Sequence, residues 1–376
     1  MTVRELTRDL VSIPSHGDGT AAGDYIEAWL RRETDAKVTR DGVGNVIARR
    51  GAGEGGETLA LVGHHDVVEP APSQVRGGTN GDESAAEDLE YVLEERNGRL
   101  YGRGTADMKG AVAAAMVAFR DADLEDRDGA AGDLVVASFV GEEVGGVGAR
   151  HAIEDGFAPE YAVVGEGSTG YSSPGVTDVA VAHKGRRGST ITAHGSAAHA
   201  SEPAAGENAI YRGTDAVDLL RGLEPPTVDV AGETLEGSLV VTEIDGGSAW
   251  NVVPDRCEIT VDERTVPGER APLERVESIG DVEWTVDQDL PPMRCSDDAF
   301  ADAALEAADA AQPGSPELVT KPHATDAGWL AEAGTACVVC GPAEPGEAHT
   351  DTESVSVGVL ERCREGYQRI AEAWFQ

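Results

Sequence analysis

The sequence predicts an α/β protein whose mostly parallel sheet is covered by helices and interrupted by a smaller α+β domain. Short apolar runs alternate with helix-like segments over the first third of the 376 residues, as in parallel strands joined by crossover helices. Near residue 175 the pattern changes to alternating polar and apolar residues, which favours antiparallel strands. The first pattern returns after Pro291-Pro292. We therefore expect one domain from residues 1–178 and 292–376, and an inserted domain from residues 179–291.

Each element has a local signal. Thr2 can cap a helix with the apolar face Val3, Leu6, Leu10 and Val11. Further helices are predicted over 21–32, 109–121, after 148, and over 298–311, 328–332 and 359–374. Strands of the first domain are predicted over 45–48, 59–63, 134–140, 161–165 and 336–340. The inserted domain is predicted to hold strands 176–183, 187–194 and 258–263, with helices near 208–223 and 271–278. Residues 69–97 are acidic and predicted to form a surface loop.

Charge and composition exclude several classes of protein. A formal net charge of −39 would repel phosphates, so we expect no nucleic-acid partner. The acids are spread along the whole chain, which indicates a solvated surface suited to a salty, halophilic cytoplasm. No apolar stretch approaches a membrane span, and the charged N-terminus does not resemble a signal peptide. The five cysteines fit a reducing compartment, with Cys337 and Cys340 as a buried structural pair. We expect a cytoplasmic protein without a membrane partner.

Acids and histidines follow the predicted buried strands of the first domain. They are His64, His65 and Asp66 after the second strand, Glu142 and Glu143 after the third, Glu166 after the fourth and His349 after the last, with Asp107 just before a helix. In an open parallel sheet, ligands gather outside the carboxyl ends of the strands. Imidazole and carboxylate without thiolate are the ligands of a catalytic zinc centre. A bridging carboxylate would let two cations activate one water. Alternation points His65 away from His64, so we expect no metal role for it.

The chain resembles a known family at this point: the two-zinc metallopeptidases that include acetylornithine deacetylase, succinyl-diaminopimelate desuccinylase, aminoacylase and some carboxypeptidases. Residues 63–68 (GHHDVV) resemble its GHxDxV motif, and residues 102–110 (GRGTADMKG) resemble its GRGxxDMKG motif. Glu142-Glu143, Glu166 and Ala348-His349 follow in the family's order, so the resemblance spans nearly the whole chain.

The resemblance implies a role for each of these residues. Asp107 would bridge two metal ions, one bound also by His64 and Glu166, the other by Glu143 and His349. Asp66 would hydrogen-bond His64, and Glu142 would be the general base. The ions are expected to be zinc, with cobalt or manganese as alternatives. The peptide after Asp107 is expected to be cis.

The resemblance also implies that residues 179–291 form a lid domain through which two chains associate as a homodimer. His199 would reach the partner subunit's site and stabilise the oxyanion. Arg264 would hold the substrate carboxylate with Asn251, and Thr325 falls in another substrate loop. Ala327-Gly328-Trp329 stands where desuccinylases commonly carry an arginine, which weakens the expectation that a second, distal carboxylate is recognised.

Three functions remain open from the sequence. The first is hydrolysis of an N-acyl amino acid of the acetylornithine or succinyl-diaminopimelate type. The second is a dipeptidase or carboxypeptidase with the same centre and a different pocket. The third is a metal-binding scaffold that has lost catalysis, which the complete set of matched residues disfavours.

Overall fold

The computed structural model describes residues 1–51, 57–77, 89–124 and 132–374. Part of the acidic loop predicted over 69–97 lies outside these residues. The α-helices are α1 (Val3–Val11), α2 (Thr20–Glu33), α3 (Lys109–Asp121), α4 (Val147–Glu154), α5 (Ala209–Arg221), α6 (Asp298–Ala310), α7 (Ala327–Glu332) and α8 (Val357–Trp374). Short 3-10 helices cover Pro72–Gln74, Pro203–Ala205 and Leu273–Ile279. None of the described helices is both long and apolar enough to cross a membrane.

The strands fall into one large sheet, one four-stranded sheet and several short ribbons. They are β1 (Lys37–Arg40), β2 (Val46–Gly51), β3 (Thr58–His64), β4 (Val75–Arg76), β5 (Glu90–Tyr91), β6 (Glu94–Arg96), β7 (Arg99–Tyr101), β8 (Asp133–Phe139), β9 (Tyr161–Val164), β10 (Val179–His183), β11 (Gly185–His194), β12 (Ala198–His199), β13 (Thr227–Val230), β14 (Glu233–Glu236), β15 (Ser238–Gly246), β16 (Val252–Val253), β17 (Arg256–Thr265), β18 (Val282–Leu290), β19 (Met293–Arg294), β20 (Leu318–Lys321), β21 (Ala336–Val339) and β22 (Ser354–Ser356).

The large sheet is mixed, with parallel strands at its centre. Within the described residues it has nine strands in the order β1-β2-β8-β3-β9-β21-β10-β19, with β20 paired to β10. Strands β8, β3, β9 and β21 run parallel, and their registers align His64 with Phe139 and Val339 with Val164. Their carboxyl ends therefore meet at one edge of the sheet, which confirms the predicted α/β architecture.

Helices cover this sheet because its strands are buried on both faces. Every residue of β3 and β8 is buried, so neither strand shows the alternation of a half-exposed strand. The alanine-rich helix α3 is buried from Lys109 to Phe119 and contacts β3, α1 and α8. Its small side chains allow the close approach of helix and sheet. Thr2 caps α1 through a capping box with Glu5, as the sequence predicts.

Two strand predictions need correction. The strand predicted over 176–183 forms over Val179–His183 as β10 and is antiparallel to its neighbour β21 as predicted, but it belongs to the large sheet rather than to the antiparallel sheet of the inserted domain. All five of its residues are buried, so its alternating sequence does not reflect one wet face. The loop predicted over 69–97 contains the short strands β4, β5 and β6, because backbone pairing stabilises ribbons that carry no hydrophobic period.

The chain divides into two compact units. The first comprises Met1–Ala182, Arg294–Lys321 and Thr325–Gln376, and the second His183–Met293 with Pro322–Ala324. In the second, the antiparallel sheet β15-β17-β11-β18 packs against α5 and the 3-10 helix Leu273–Ile279. Ile191, Ile259 and Leu273 lie in its own hydrophobic core. The domain limits of 179 and 291 stay a prediction.

Candidate metal centre

The candidate site is built from the loops at the carboxyl edge of the parallel strands. His64 is the last residue of β3, Glu143 follows β8, and Glu166 follows β9. Asp107 precedes α3 and is joined to Met108 by a cis peptide bond, which confirms that prediction. His349 lies between β21 and β22 with a φ of 62°, a left-handed conformation that histidine adopts infrequently.

Gly63, in the first motif, lies where that motif packs closely against Met108 in the second motif. A Cβ atom added to Gly63 would lie 2.7 Å from Met108 Cε and 3.0 Å from Val112 Cγ2. Glycine therefore favours the close approach of β3 to the start of α3, because a larger residue would require the side chains of Met108 and Val112 to shift. The contact brings the ligand-bearing ends of the two motifs together.

Five side chains form two groups that share Asp107. His64 Nε2 lies 3.0 Å from Asp107 Oδ1 and 3.3 Å from Glu166 Oε1. His349 Nε2 lies 3.1 Å from Asp107 Oδ2 and 3.2 Å from Glu143 Oε2. Each oxygen of the Asp107 carboxylate thus faces a different histidine. These five are the residues that the sequence predicts as metal ligands, and the structure brings them all together.

The donor geometry fits divalent ions. Tetrahedral ligands at bond lengths of about 2.0–2.1 Å stand about 3.3 Å from one another, close to the separations within each group. The donors are imidazole nitrogens and carboxylate oxygens without thiolate, which suits a catalytic centre. The side chains of His64, Asp107, Glu143 and Glu166 are 1%, 12%, 10% and 13% exposed, and that of His349 is 52% exposed. One group is therefore enclosed and the other open to solvent.

The carboxylates shift the titration of the two histidines. Hydrogen bonds to Asp107 and Glu143 raise the pKa of His349 to about 10. Burial lowers the pKa of His64, but hydrogen bonds to Asp107, Asp66 and Glu166 outweigh it and hold the pKa well above the ordinary value. Burial likewise raises the pKa of Asp107, whereas its hydrogen bonds with His349 and His64 bring the pKa well below the usual range. The carboxylates thus stabilise positive charge on the two histidines.

Asp66 contacts the ring nitrogen of His64 that points away from the cluster. His64 Nδ1 lies 3.0 Å from the backbone carbonyl oxygen of Asp66 and 3.5 Å from its Oδ1. The carboxylate accepts the backbone N–H groups of Glu142 and Glu143 at 3.4 and 3.3 Å. The nearest contact with His64 is therefore the main chain of Asp66 rather than the predicted carboxylate. Either acceptor leaves His64 Nε2 free to face the cluster.

His65 and Glu142 differ in their surroundings. His65 is buried, with Nδ1 2.8 Å from Ser138 Oγ, and burial lowers its pKa to about 3, so it stays neutral outside both groups. Burial, followed by the nearby carboxylates of Asp326 and Glu166, raises the pKa of Glu142 well above its ordinary value. A carboxylate whose pKa is raised accepts a proton more readily than an ordinary glutamate side chain does.

The residues predicted to bind substrate are spread over both units. His199 is exposed, and its Nδ1 lies 2.6 Å from Ser201 Oγ. Asn251 is exposed, and Arg264 donates to Asp262 Oδ1 at 2.8 Å. These three belong to the second unit, and the buried Thr325 belongs to the first.

Sequence reasoning missed Glu353 and Lys321 near the ligands, and it placed Asp326, beside Thr325, only in a substrate loop. Glu353 is buried and accepts the backbone N–H of Asp107. Lys321 Nζ lies 3.6 Å from Glu166 Oε2. Asp326 is 3% exposed, neither of its oxygens has a hydrogen-bond partner among the described residues, and burial raises its pKa to about 7. In so acidic a chain, one further carboxylate gives no local signal that it will be buried.

A cavity adjoins the cluster within the first unit. It has a volume of about 490 Å³, and both Asp66 and Glu143 line it. Val43, Val144 and Val147 also line it and are 40%, 73% and 44% exposed. A small molecule held at the carboxylates would thus have an apolar space beside it.

Comparison with known proteins decides the family. The profile of "Peptidase family M20/M25/M40" matches residues 60–373. The chain belongs to this peptidase family. As a member of the M20 family it is a metal-dependent amidohydrolase.

Two curated relatives of this M20 protein are acetylornithine deacetylases. The one from Myxococcus xanthus is 32% identical over 355 residues, covering 88% of this chain and 83% of the relative. The one from Vibrio atlanticus is 29% identical over 338 residues, covering 84% and 81%.

Solved structures share the fold. Aminopeptidase PepT from Bacillus cereus superposes with a TM-score of 0.77 at 20% identity, covering 98% of this chain and 97% of that one. An M20 family metallo-carboxypeptidase from Sulfolobus solfataricus superposes with a TM-score of 0.69 at 15% identity, covering 99% of both chains. At these identities the likeness extends to the fold alone.

Proposed function

We propose that the protein hydrolyses the amide bond of an N-acyl amino acid at a centre of two divalent metal ions. The observation that carries this proposal is the sharing of Asp107, whose two oxygens face two separate histidine–carboxylate groups. The substrate is of the acetylornithine or succinyl-diaminopimelate type. The acetylornithine deacetylases that match most of the chain support the acetyl substrate.

The five ligands divide between the ions. His64 and Glu166 would hold one, Glu143 and His349 the other, and Asp107 would bridge them. Bound there, the ions would polarise the scissile carbonyl and activate a water molecule at neutral pH. Zinc suits these donors, and cobalt or manganese suits them as well.

Glu142 is the general base of the proposed reaction. It precedes the ligand Glu143, and the raised pKa of its carboxyl group lets it accept a proton from the attacking water. The same carboxyl group then donates that proton to the leaving nitrogen, so the free amino acid departs as an amine. Asp66 keeps His64 in the required orientation throughout.

The remaining groups of the proposed mechanism come from both units, with Thr325 in the first and the others in the second. Arg264 would hold the substrate carboxylate with Asn251, and Thr325 would line the substrate loop. Arg264 would have to exchange Asp262 for the substrate, since both offer the same bidentate carboxylate geometry. His199 would donate to the developing oxyanion in the site of the partner subunit.

A homodimer through the second unit agrees with the surface of that unit. Strand β15 forms an edge of the four-stranded sheet, and its Val240 and Ile244 are 50% and 54% exposed. Tyr211 on α5 is also largely exposed. An open edge with apolar side chains is a surface that proteins usually cover.

The five cysteines form no disulfide, which agrees with a cytoplasmic enzyme.

A substrate panel tests the proposal. N-acetyl-ornithine, N-succinyl-diaminopimelate, other N-acyl amino acids and dipeptides are incubated in high salt with Zn²⁺ or Co²⁺, and release of free amine is measured. We expect one acyl amino acid to react fastest and a chelator to abolish the reaction. Cleavage of dipeptides alone would instead make the enzyme a dipeptidase. No hydrolysis of any substrate, with metal bound, would refute the catalytic proposal.

A further inference from the structure

Glu353 links the two loops that carry Asp107 and His349. Its side chain is 0% exposed. Oε1 accepts the backbone N–H groups of Ala106 and Asp107 at 3.0 and 3.2 Å. Oε2 accepts a hydrogen bond from Arg103, whose side chain is 4% exposed. One buried carboxylate therefore satisfies two amides and a guanidinium of the segment 103–107.

The main chain strengthens the same link. Gly102 N donates to the backbone oxygen of Glu353 at 3.0 Å, and β22 pairs with β7 immediately beyond. Arg103 and Glu353 are consequently held on adjoining, hydrogen-bonded segments. A rotation of the Asp107 backbone would break two hydrogen bonds to a buried carboxyl oxygen and leave these groups without partners, which is costly.

We propose that Glu353 is a positioning residue for the shared ligand Asp107. By holding the amides of Ala106 and Asp107, it sets the direction in which the Asp107 side chain leaves the backbone. That direction decides whether each carboxylate oxygen faces its own histidine. The inference rests on the proposed two-metal function, and Glu353 itself touches neither substrate nor metal.

A second buried ion pair in the chain provides a matched control. Arg187 Nε donates to Glu263 Oε2 at 2.5 Å, and their side chains are 8% and 1% exposed. Glu263 Oε1 also accepts a backbone N–H group, that of Ala271, at 3.2 Å. This pair lies in the second unit, whereas the five proposed ligands all belong to the first. Glu263→Gln therefore removes the same chemistry without touching the backbone of a ligand.

The test compares metal affinity with stability in the wild type, Glu353→Gln and Glu263→Gln. Co²⁺ is titrated into each metal-free protein in high salt, its binding followed by visible absorption and calorimetry, and the free energy of unfolding is measured in urea. Both variants should lose stability because each leaves a buried arginine without its charged partner. Only Glu353→Gln should also bind both Co²⁺ ions about 10–100-fold more weakly, because Asp107 serves both sites.

Glu353→Asp extends the test if the glutamine variant does not fold. It keeps the negative charge beside Arg103 but is one methylene shorter, so it cannot hold the guanidinium and both amides together. We expect weakened binding of both ions with a smaller loss of stability.

Unchanged Co²⁺ affinity in a folded Glu353 variant would overturn the positioning role. An equal loss of affinity in Glu263→Gln would also overturn it, because the effect would then follow from general destabilisation. A wild-type protein that binds fewer than two Co²⁺ ions would overturn the proposed two-metal function together with this inference.

Discussion

Metal binding should stabilise the folded protein, and the stabilisation that remains after a ligand is substituted should depend on whether that ligand serves one ion or, like Asp107, both. The unfolded chain cannot hold the donors 3.0–3.3 Å apart, so the ions bind the folded state preferentially. A ligand at 100 times its dissociation constant adds about 2.7 kcal/mol to the free energy of unfolding, and two independent sites add roughly 5 kcal/mol. That is a large part of the 5–15 kcal/mol typical of folded domains.

Two substitutions separate the stabilisation contributed by one metal site from that contributed by both. His349→Ala leaves the group of His64, Asp107 and Glu166 intact, so about 2.7 kcal/mol of metal-dependent stability should remain. Asp107→Asn weakens both groups, so little should remain. His151→Ala is the control, because His151 pairs with the exposed Asp155 at 3.4 Å outside both groups, and it should keep the full effect.

The assay is urea unfolding followed by tryptophan fluorescence, with and without Zn²⁺, at one fixed high salt concentration. Urea carries no charge and so leaves the screening of the acidic surface unchanged. If Asp107→Asn kept the stabilisation of one complete site, Asp107 would not be shared. If the wild type gained no stability from zinc, the centre would not bind the ion.

Three further outcomes are expected. Glu142→Gln should lower kcat about 10²–10⁴-fold while both Co²⁺ ions stay bound; full activity, or loss of metal, would exclude Glu142 as the base. His199→Ala should be nearly inactive. Mixing this variant with Glu142→Gln should restore activity, because a mixed dimer has one site in which both groups are intact. A mixture as inactive as its components would place His199 outside the partner's site. The free energy of unfolding should rise from 0.1 to 1 M KCl because the Debye length falls from about 10 to 3 Å around a chain of net charge −39; equal stability in dilute buffer would contradict the halophilic interpretation.

Local patterns explain why so much of the first unit could be predicted. Helix α3 begins and ends where the alanine-rich run predicts, at Lys109 and Asp121, because helix formation depends on residues within a few positions of one another. Parallel strands must also end at a common edge, so the acids and histidines that follow them converge whatever the details of packing. Strand direction brought the candidate acids and histidines to one edge of the sheet, and the resemblance to the two-zinc metallopeptidases selected the five proposed ligands among them.

Contacts between distant segments set the limits of prediction. The sequence by itself determined the α/β architecture, the order of its main elements and the residue types gathered at the sheet edge, since each follows from local periodicity or strand direction. Only the tertiary structure decided that β10 joins the large sheet, that the Asp66 main chain contacts His64, and that Glu353 holds the backbone of Asp107. Glu353 lies 246 positions along the chain from Asp107, and in a chain with 69 acidic residues nothing local distinguishes it. Its burial beside Arg103 arises from the packing of two loops, and packing depends on the whole fold.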